Sequence, residues 1–373
     1  MKLTHHASRL THQQGIALVI VMISIIVLAL LAGGFAKSMK VETKLAQHAN
    51  NQTELLWLGR SGVEYARWVL ALQASCPMEN YDALNQIWAG GPGGPCVTNG
   101  ALAEVQKEIH LGNGYFTWKI TDLERKWNIN TMARPGGQDI LQHGLMLMGV
   151  DPSQMTPIVN SILNWIDKGT RLEGADSDYY QGLNPPYLAK NGPIDDLSEL
   201  LLIKGVSSEL YLGANSSNNL PSVIQQQLNN QTPQLGFDQG PAFNAGLVDL
   251  FTPISSGMIN INTASAEVLQ LIPGVDPRVA EAIVSGRQGD DDGSGLLGPY
   301  RDVRELQRVP DIPLGMIPMI QRYCVVQSKT FEVEIEAHAG GSTRIFHAIL
   351  VRANGPRDRN TQVVGFYWKG DER

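Results

Sequence analysis

Twenty consecutive residues, Ile16 to Phe35, carry a single polar side chain, Ser24, and no other stretch constrains the fold as tightly. As an α-helix such a run rises about 30 Å, the thickness of a bilayer's hydrocarbon core. The leader before it holds Lys2, Arg9 and three histidines (His5, His6, His12) but no acid, a pattern that keeps it cytoplasmic. A cleaved secretory signal has a shorter apolar region followed by a small-x-small site, which this chain lacks. Taken alone, the run is a single-pass anchor. At 373 residues, the chain is long enough for two or three packed units behind it. A net charge of −7 argues against general nucleic-acid binding, which needs a basic footprint.

Gly15 stands where polar sequence meets apolar, in "QQGIALVIVMISIIVLALLAGGF". This resembles a type IV prepilin processing site, where a membrane peptidase cuts after the glycine and methylates the new amino terminus. Ile16 becomes mature residue 1 on that reading. Pilin-like proteins carry a Glu at mature position 5, which neutralises the amine of a neighbouring subunit; here that position is Ile20. An unpaired charge in an apolar bundle is costly. The missing Glu therefore either sinks the pilin reading or marks a subunit with no earlier neighbour.

From Lys37 to about Gln73 the pattern stays helical, with Gly59 and Gly62 as the few breakers. Leu55, Leu58, Val63, Ala66, Val69 and Leu70 fall largely on one face, so the first helix continues the anchor for roughly 55 residues. Gly33-Gly34 reads as a flexible joint near the membrane surface. Four segments read as strands: "GYFTWKITDL", "TFEVEIEAHA", "RIFHAILVRA" and "QVVGFYWKG". About 200 mostly helical residues separate the first from the other three. The economical fold class is α+β, with a long N-terminal helix on a small antiparallel sheet and a large all-α domain inserted into it. Strands 115–122 and 330–369 then pair across that insertion.

Cys76 and Cys96 flank the Pro/Gly-rich loop Gly90–Pro95 and can form a disulfide if the body is exported. Cys324, in "RYCVV", reads as a buried thiol on a core strand. Within the insert, "LQLIPGVDPRVAEAIVSGR" reads as a helix from Ala264 to Leu271, a Pro273-Gly274-Val275 turn and a second helix from Pro277. It resembles a helix-hairpin-helix, with weaker copies at "LSELLLIKGVSSELYLG" and "VRELQRVPDIPLGMIPMI". In DNA-binding versions the turn offers backbone N–H groups to a phosphate. Here Asp276 occupies the turn, so a packing role is the plainer reading.

Acidic residues gather in "WIDKGTRLEGADSDYYQGLNPPYLAKNGPIDDLSEL": Asp167, Glu173, Asp176 and Asp178, then Asn191, Asp195, Asp196 and Glu199. Oxygens on turn-rich backbone suit Ca²⁺, which takes six to eight flexible oxygen ligands. The alternative is a solvated loop with Asp196 or Ser198 capping a helix at Glu199–Ile203. "GDDDGSGLLGPYR" echoes an EF-hand through Asp290, Asp292, Ser294 and Gly295, but Arg301 replaces the final Glu, so it reads as a flexible loop. There is no P-loop, no G-x-S-x-G and no His/Cys metal spacing, so nothing marks an enzyme.

The prepilin-like start without its position-5 Glu, the split α/β body and the helical insert together resemble the K-type minor pseudopilins of type II secretion. The likeness spans the chain and is sharpest in "WID…GADSDYY…NPPYLAKNGPIDDLSEL" and "ININTASAEVL". It implies a non-enzymatic tip subunit of the pseudopilus, anchored in the bacterial inner membrane with its body in the periplasm. Its implied partners are I-type and J-type minor pseudopilins, other pseudopilus subunits and the prepilin peptidase, and no nucleic acid. It also implies calcium in the insert, held by Asp167, Asp176, Asp178 and Asn191. The domains follow as leader 1–15, transmembrane helix 16–35, pilin-like helix, disulfide loop and first strand 36–127, insert 128–325, and closing strands 326–373. The rival reading is a membrane-anchored helix-hairpin-helix DNA receptor of the competence type, against which the acidic balance and the flanking strands weigh.

Overall fold

The computed structural model describes residues 11–97, 100–167, 174–213, 243–288, 298–355 and 358–368. Helix α1 runs from Thr11 to Ala74, 64 residues, starting before the apolar run and passing through Gly33-Gly34 without a break. It is longer than the expected 55 residues, and no joint forms at the glycine pair. At 1.5 Å per residue it extends about 95 Å. Residues 16–50 are exposed throughout, and only the C-terminal part of the helix is packed.

That packed part lies on a five-stranded antiparallel sheet ordered β1-β2-β7-β8-β9. Its strands are β1 Glu108–Leu111, β2 Gly114–Asp122, β7 Thr330–Ala339, β8 Ser342–Arg352 and β9 Thr361–Trp368, so β1 is an edge strand the pattern did not disclose. β2 pairs with β7 across the insertion, Phe116 opposite Ala337 and Ile120 opposite Val333. Alternation turns Phe116, Ile120, Val333, Ile335, Phe346 and Ala348 toward α1, where they meet Leu55, Leu58, Val63, Ala66, Val69 and Leu70. Gly59 and Gly62 are not breakers. A Cβ on Gly59 would stand 2.5 Å from the Phe346 ring, and one on Gly62 would stand 2.6 Å from Ile335. Both glycines are the contact points that let helix and sheet approach closely.

A second core, from Trp127 to Cys324, belongs to the insert. Helices α2 Gly137–Leu147, α3 Pro152–Ile166, α4 Ser177–Gln181 and α5 Ser208–Leu212 lead into two short parallel pairings. β3 Trp127–Asn128 pairs with β4 Phe251–Thr252, and β5 Ile259–Asn260 pairs with β6 Cys324–Val325. Cys324 is buried as a free thiol.

The three proposed hairpin copies share one local design. Leu200, Ile203 and Val206, then Leu269, Ile272 and Val275, then Leu306, Val309 and Ile312 are all buried at identical spacing. An N-cap sits four residues before each leucine: Asp196, Ser265 and Asp302. Each turn needs a left-handed residue, Gly205 at φ 88°, Gly274 at φ 82° and Asp311 at φ 73°. Asp311 has no glycine's freedom there and is held by an ion pair with Arg278 from the neighbouring hairpin. The first helix of the middle copy is Ala266–Gln270, starting later than expected because Ser265 caps it and ending one residue earlier, with Leu271 as C-cap. Likewise the helix foreseen at Glu199–Ile203 is a 3-10 helix at Leu197–Leu202, started by Asp196. A related turn joins α2 to α3 at Gly149 (φ 75°), followed by Asp151 as N-cap and Pro152, without the buried leucine spacing of the other three. "GVDP" occurs at both 149–152 and 274–277, which was the legible clue.

Candidate functional site

Gly15 and Ile16 lie within the backbone of α1, and the leader before Thr11 lies outside the described residues. Ile20 is exposed on the helix surface, and its carbonyl accepts the Ser24 hydroxyl at 2.8 Å. The one polar side chain of the apolar run is thus satisfied inside its own helix, as a lipid-facing hydroxyl must be. This helix is long and apolar enough to cross a membrane.

The segments carrying the four candidate calcium ligands are tied to the C-terminal end of α3, where unpaired carbonyls make a helix electronegative. Asp167 is the C-cap of α3. The segment carrying Asp176 and Asp178 is tied back to the same helix: the Ala175 N–H donates to Ser161 Oγ at 2.9 Å, and Asn164 Nδ2 donates to the Ala175 carbonyl at 3.3 Å. Gly174 permits this approach, since a Cβ would stand 2.7 Å from the Asn160 backbone. The Gly192 N–H donates to the Trp165 carbonyl at 3.1 Å, and Asn191 Nδ2 reaches Ser177 Oγ at 3.3 Å. Asn191 itself adopts φ 48°, a left-handed conformation that Asn tolerates.

The two loops are thus tied by backbone contacts to one helix end, without a cluster of three carboxylates among the described residues. Among the described residues, Asp167, Asp176 and Asp178 do not close to within 4.8 Å of one another. Asp176 already caps α4 through the Tyr179 N–H. Glu173 and its neighbours 168–172 lie outside the described residues, as do Asp290, Asp292 and Ser294 of the EF-hand-like loop.

The acids just downstream are committed elsewhere. Asp196 and Glu199 form a capping box, and Lys190 Nζ bridges Asp195 and Glu199 at 2.7 Å each. Burial pushes the Glu199 carboxyl up, but Lys190 and the 195 and 196 N–H groups outweigh it and leave the group below its ordinary value. This part of the acidic cluster is capping and ion pairing.

The hairpin turn offers little to a phosphate. Asp276 caps the helix Pro277–Gly286 by accepting from the Val279 N–H. Arg287 donates to the Ile261 carbonyl at 2.8 Å and the Ala264 carbonyl at 2.6 Å, and Arg278 is paired with Asp311. Both nearby cations are employed in holding the hairpins together.

Sequence reasoning missed a buried polar junction where the chain leaves the sheet for the insert and returns. Asp122, at the end of β2, accepts from the Glu124 N–H at 2.8 Å, from Thr263 and Ser328 hydroxyls at 2.6 Å each, and from Asn260 Nδ2 at 3.1 Å. Asn260 also donates to the Asp82 carbonyl at 2.9 Å. Asp82 in turn receives the Ser328 N–H at 2.8 Å and pairs with Arg352 at 2.7 Å, both side chains almost fully buried. Glu124 accepts from the Ser256 N–H at 3.3 Å and from the Lys329 N–H. Burial, then the neighbouring Asp122 charge, raises Glu124 to about 7, and Asp122 is raised by burial as well. These contacts tie the two cores together through five chain segments. No periodicity links Asp82 to Arg352; the "NIN" beside the middle hairpin was the only local hint.

Cys76 and Cys96 are joined in a disulfide, Cα to Cα 6.1 Å.

The model of the family "Type II secretion system (T2SS), protein K" matches residues 123–215, and that of the helix-hairpin-helix motif matches residues 255–318. Type II secretion system protein K of Aeromonas hydrophila is 23% identical over 362 residues, covering 91% of this chain and 93% of that protein. The Klebsiella pneumoniae protein of the same name is 24% identical over 211 residues, covering 53% of this chain and 60% of that protein. Among solved structures, the GspK-GspI-GspJ complex of the enterotoxigenic Escherichia coli type 2 secretion system contains a chain of like fold. Its TM-score is 0.58 at 17% identity, covering 87% of this chain and 99% of that one. The α+β frame, the helical insert with its hairpin motif and these relatives converge: the chain carries the domain of type II secretion system protein K at 123–215 and is similar to proteins of that name over most of its length.

Proposed function

We propose that this chain is a minor pseudopilin at the tip of the type II secretion pseudopilus. There it starts assembly with I-type and J-type minor pseudopilins and supports export of folded proteins across the outer membrane. The observation that carries the reading is the fold match to a chain of the GspK-GspI-GspJ complex along 99% of that chain's length, frame and insert alike. Two features of the chain favour the tip. Ile20 lacks the carboxylate that a subunit with a preceding neighbour uses. An insert of this size, close to a domain of its own, would obstruct a subunit stacked above it. On this reading the prepilin peptidase cuts between Gly15 and Ile16, α1 anchors the chain in the inner membrane, and the body stands in the periplasm. The Cys76–Cys96 disulfide favours that oxidising compartment. The role is structural, with no catalysis assigned. Calcium binding at Asp167, Asp176, Asp178 and Asn191 is part of the proposal, supported by the lashing of both loops to the end of α3.

The experiment is a cysteine-crosslinking scan in cells, with cysteines placed singly at Val41, Thr53 and Glu64 on exposed turns of α1. Adducts with the I-type and J-type subunits through these positions are the expected result. A ladder of self-adducts along α1, or no adduct with those partners at any of these positions, would overturn it. Mass spectrometry of the membrane-extracted chain supplies the second check, since an intact Met1 leader on the functional form contradicts the processing step.

A further inference from the structure

The loop closed by the disulfide contains a third chemically active group. The Sγ atoms of Cys76 and Cys96 and a carboxylate oxygen of Glu79 all lie within 4.8 Å of one another. Cys76 and Glu79 are both buried at 4% exposure, and Cys96 is half-buried. Glu79 is held by amide donors: Gln73 Nε2 at 2.7 Å, Gln86 Nε2 at 3.0 Å and the Cys96 N–H at 3.1 Å. Burying a carboxylate among neutral donors leaves it short of positive charge. Gly94 lies so close to this carboxylate that a Cβ there would stand 2.7 Å from its Cδ, so the loop closes over the acid only with glycine at this position.

The loop does not depend on the disulfide alone for its position. Trp88 is 1% exposed and meets Phe331 edge-on at 5.3 Å. Gln86 bonds the Tyr81 carbonyl and accepts from the Ala83 N–H and the Trp88 indole. Asp82 is pinned by Arg352, and its N–H by the Val326 carbonyl at 2.9 Å. Reduction would therefore release two thiols that remain neighbours, beside a carboxylate already in place.

We propose that the reduced chain holds a cation site of two thiolates and one carboxylate, Cys76, Cys96 and Glu79, for a thiophilic divalent ion of the Zn²⁺ type. Zinc takes Cys sulfur and Glu oxygen in tetrahedral sets, with water able to complete three protein ligands. A dithiol reductant breaks the S–S bond, giving two thiols as it closes to its own cyclic disulfide. The cation then displaces both thiol protons to solvent, and its double positive charge offsets most of the three negative charges around it. Disulfide and metal are thus alternative closures of one loop, and the oxidised chain has no thiolate to offer.

The test uses the full-length chain in detergent, reduced with a dithiol that is then removed without air, and Co²⁺ as a visible probe. The reduced chain should bind one Co²⁺ with a thiolate-to-cobalt charge-transfer band, displaced by Zn²⁺, and the oxidised chain none. Glu79→Gln should weaken binding about tenfold or more, the least that loss of a direct ligand costs when outer-shell partners alone cost as much. Because that substitution could disturb the loop, a second measurement uses the unaltered chain: Zn²⁺ should slow alkylation of Cys76 and Cys96 but not of Cys324. A reduced chain without the band, a band that survives Cys76→Ser with Cys96→Ser, unchanged affinity in a folded Glu79→Gln, or alkylation indifferent to Zn²⁺ would each overturn the site.

Discussion

Replacing Gly59 by alanine sets two effects of known size against each other. In an exposed helix, Gly→Ala gains about 1 kcal/mol of helix propensity. Here the new methyl would stand 2.5 to 2.8 Å from three atoms of the Phe346 ring. That ring is fully buried and stacked on Phe366 at 5.4 Å with 6° between planes, so it cannot retreat without breaking another contact. Overpacking of this kind costs roughly 1–3 kcal/mol, and a rigid ring belongs at the upper end. The net expectation is a loss of about 2 kcal/mol, the sum of those two effects. In a body of this size that lowers the melting temperature by about 3 °C. The assay is thermal unfolding of the full-length chain in detergent, followed by near-UV circular dichroism. Gly33→Ala is the control, because nothing lies within 4 Å of a Cβ there, and it should not destabilise. Pairing Gly59→Ala with Phe346→Ala should cost less than the sum of the two, since the second change removes the first one's obstacle. A neutral or stabilising Gly59→Ala would refute close approach as the reason for glycine at this position.

Three further outcomes are expected. Glu124 holds its proton up to about 7 in the folded chain, against an ordinary value of 4.5, so the unfolded chain releases it first as pH rises. Stability from this group is therefore full below the ordinary value, declines between the two, and is level above; unfolding measured across that window should slope less in Glu124→Gln than in the parent. Arg352→Met leaves Asp82 buried and uncompensated, which should cost about 3–5 kcal/mol in chemical denaturation, and adding Asp82→Asn should recover part of it. Calcium should raise the melting temperature by mass action, and Asp176→Ala with Asp178→Ala should abolish the increment; an equal response in the altered chain would place the ion elsewhere.

Much of the frame was legible because its signals are periodic. The stripe Leu55 to Leu70 and the alternation around Phe116 and Ile120 announce a helix and a strand, each by its own repeat. Gly59 and Gly62 misled, because a helix-breaking residue and a helix-to-sheet contact look identical until the facing ring is known. The junction of Asp82, Asp122, Asn260, Ser328 and Arg352 left no pattern at all: its members lie up to 270 positions apart and meet only through the fold. The candidate calcium ligands sit between these cases. Their oxygens were readable, but the Ser161 and Trp165 contacts that bring two loops to one helix end were not.

The pairing of β2 with β7 fixes an order of events during synthesis. Every residue of the insert's core, Trp127 to Cys324, has emerged before the first residue of β7 exists. The sheet, by contrast, cannot gain its central strand until position 330, and β8 and β9 come later still. Contacts that span so much chain form slowly, since the loop must close before they contribute. The inserted unit can thus reach its native packing while the apolar face of α1, Leu55 to Leu70, still lacks β7 and β8. A chain cut short before Thr330 would keep a folded insert on a helix that has β2 but neither β7 nor β8 against it, and the stripe left open for those two strands would mark it for disposal.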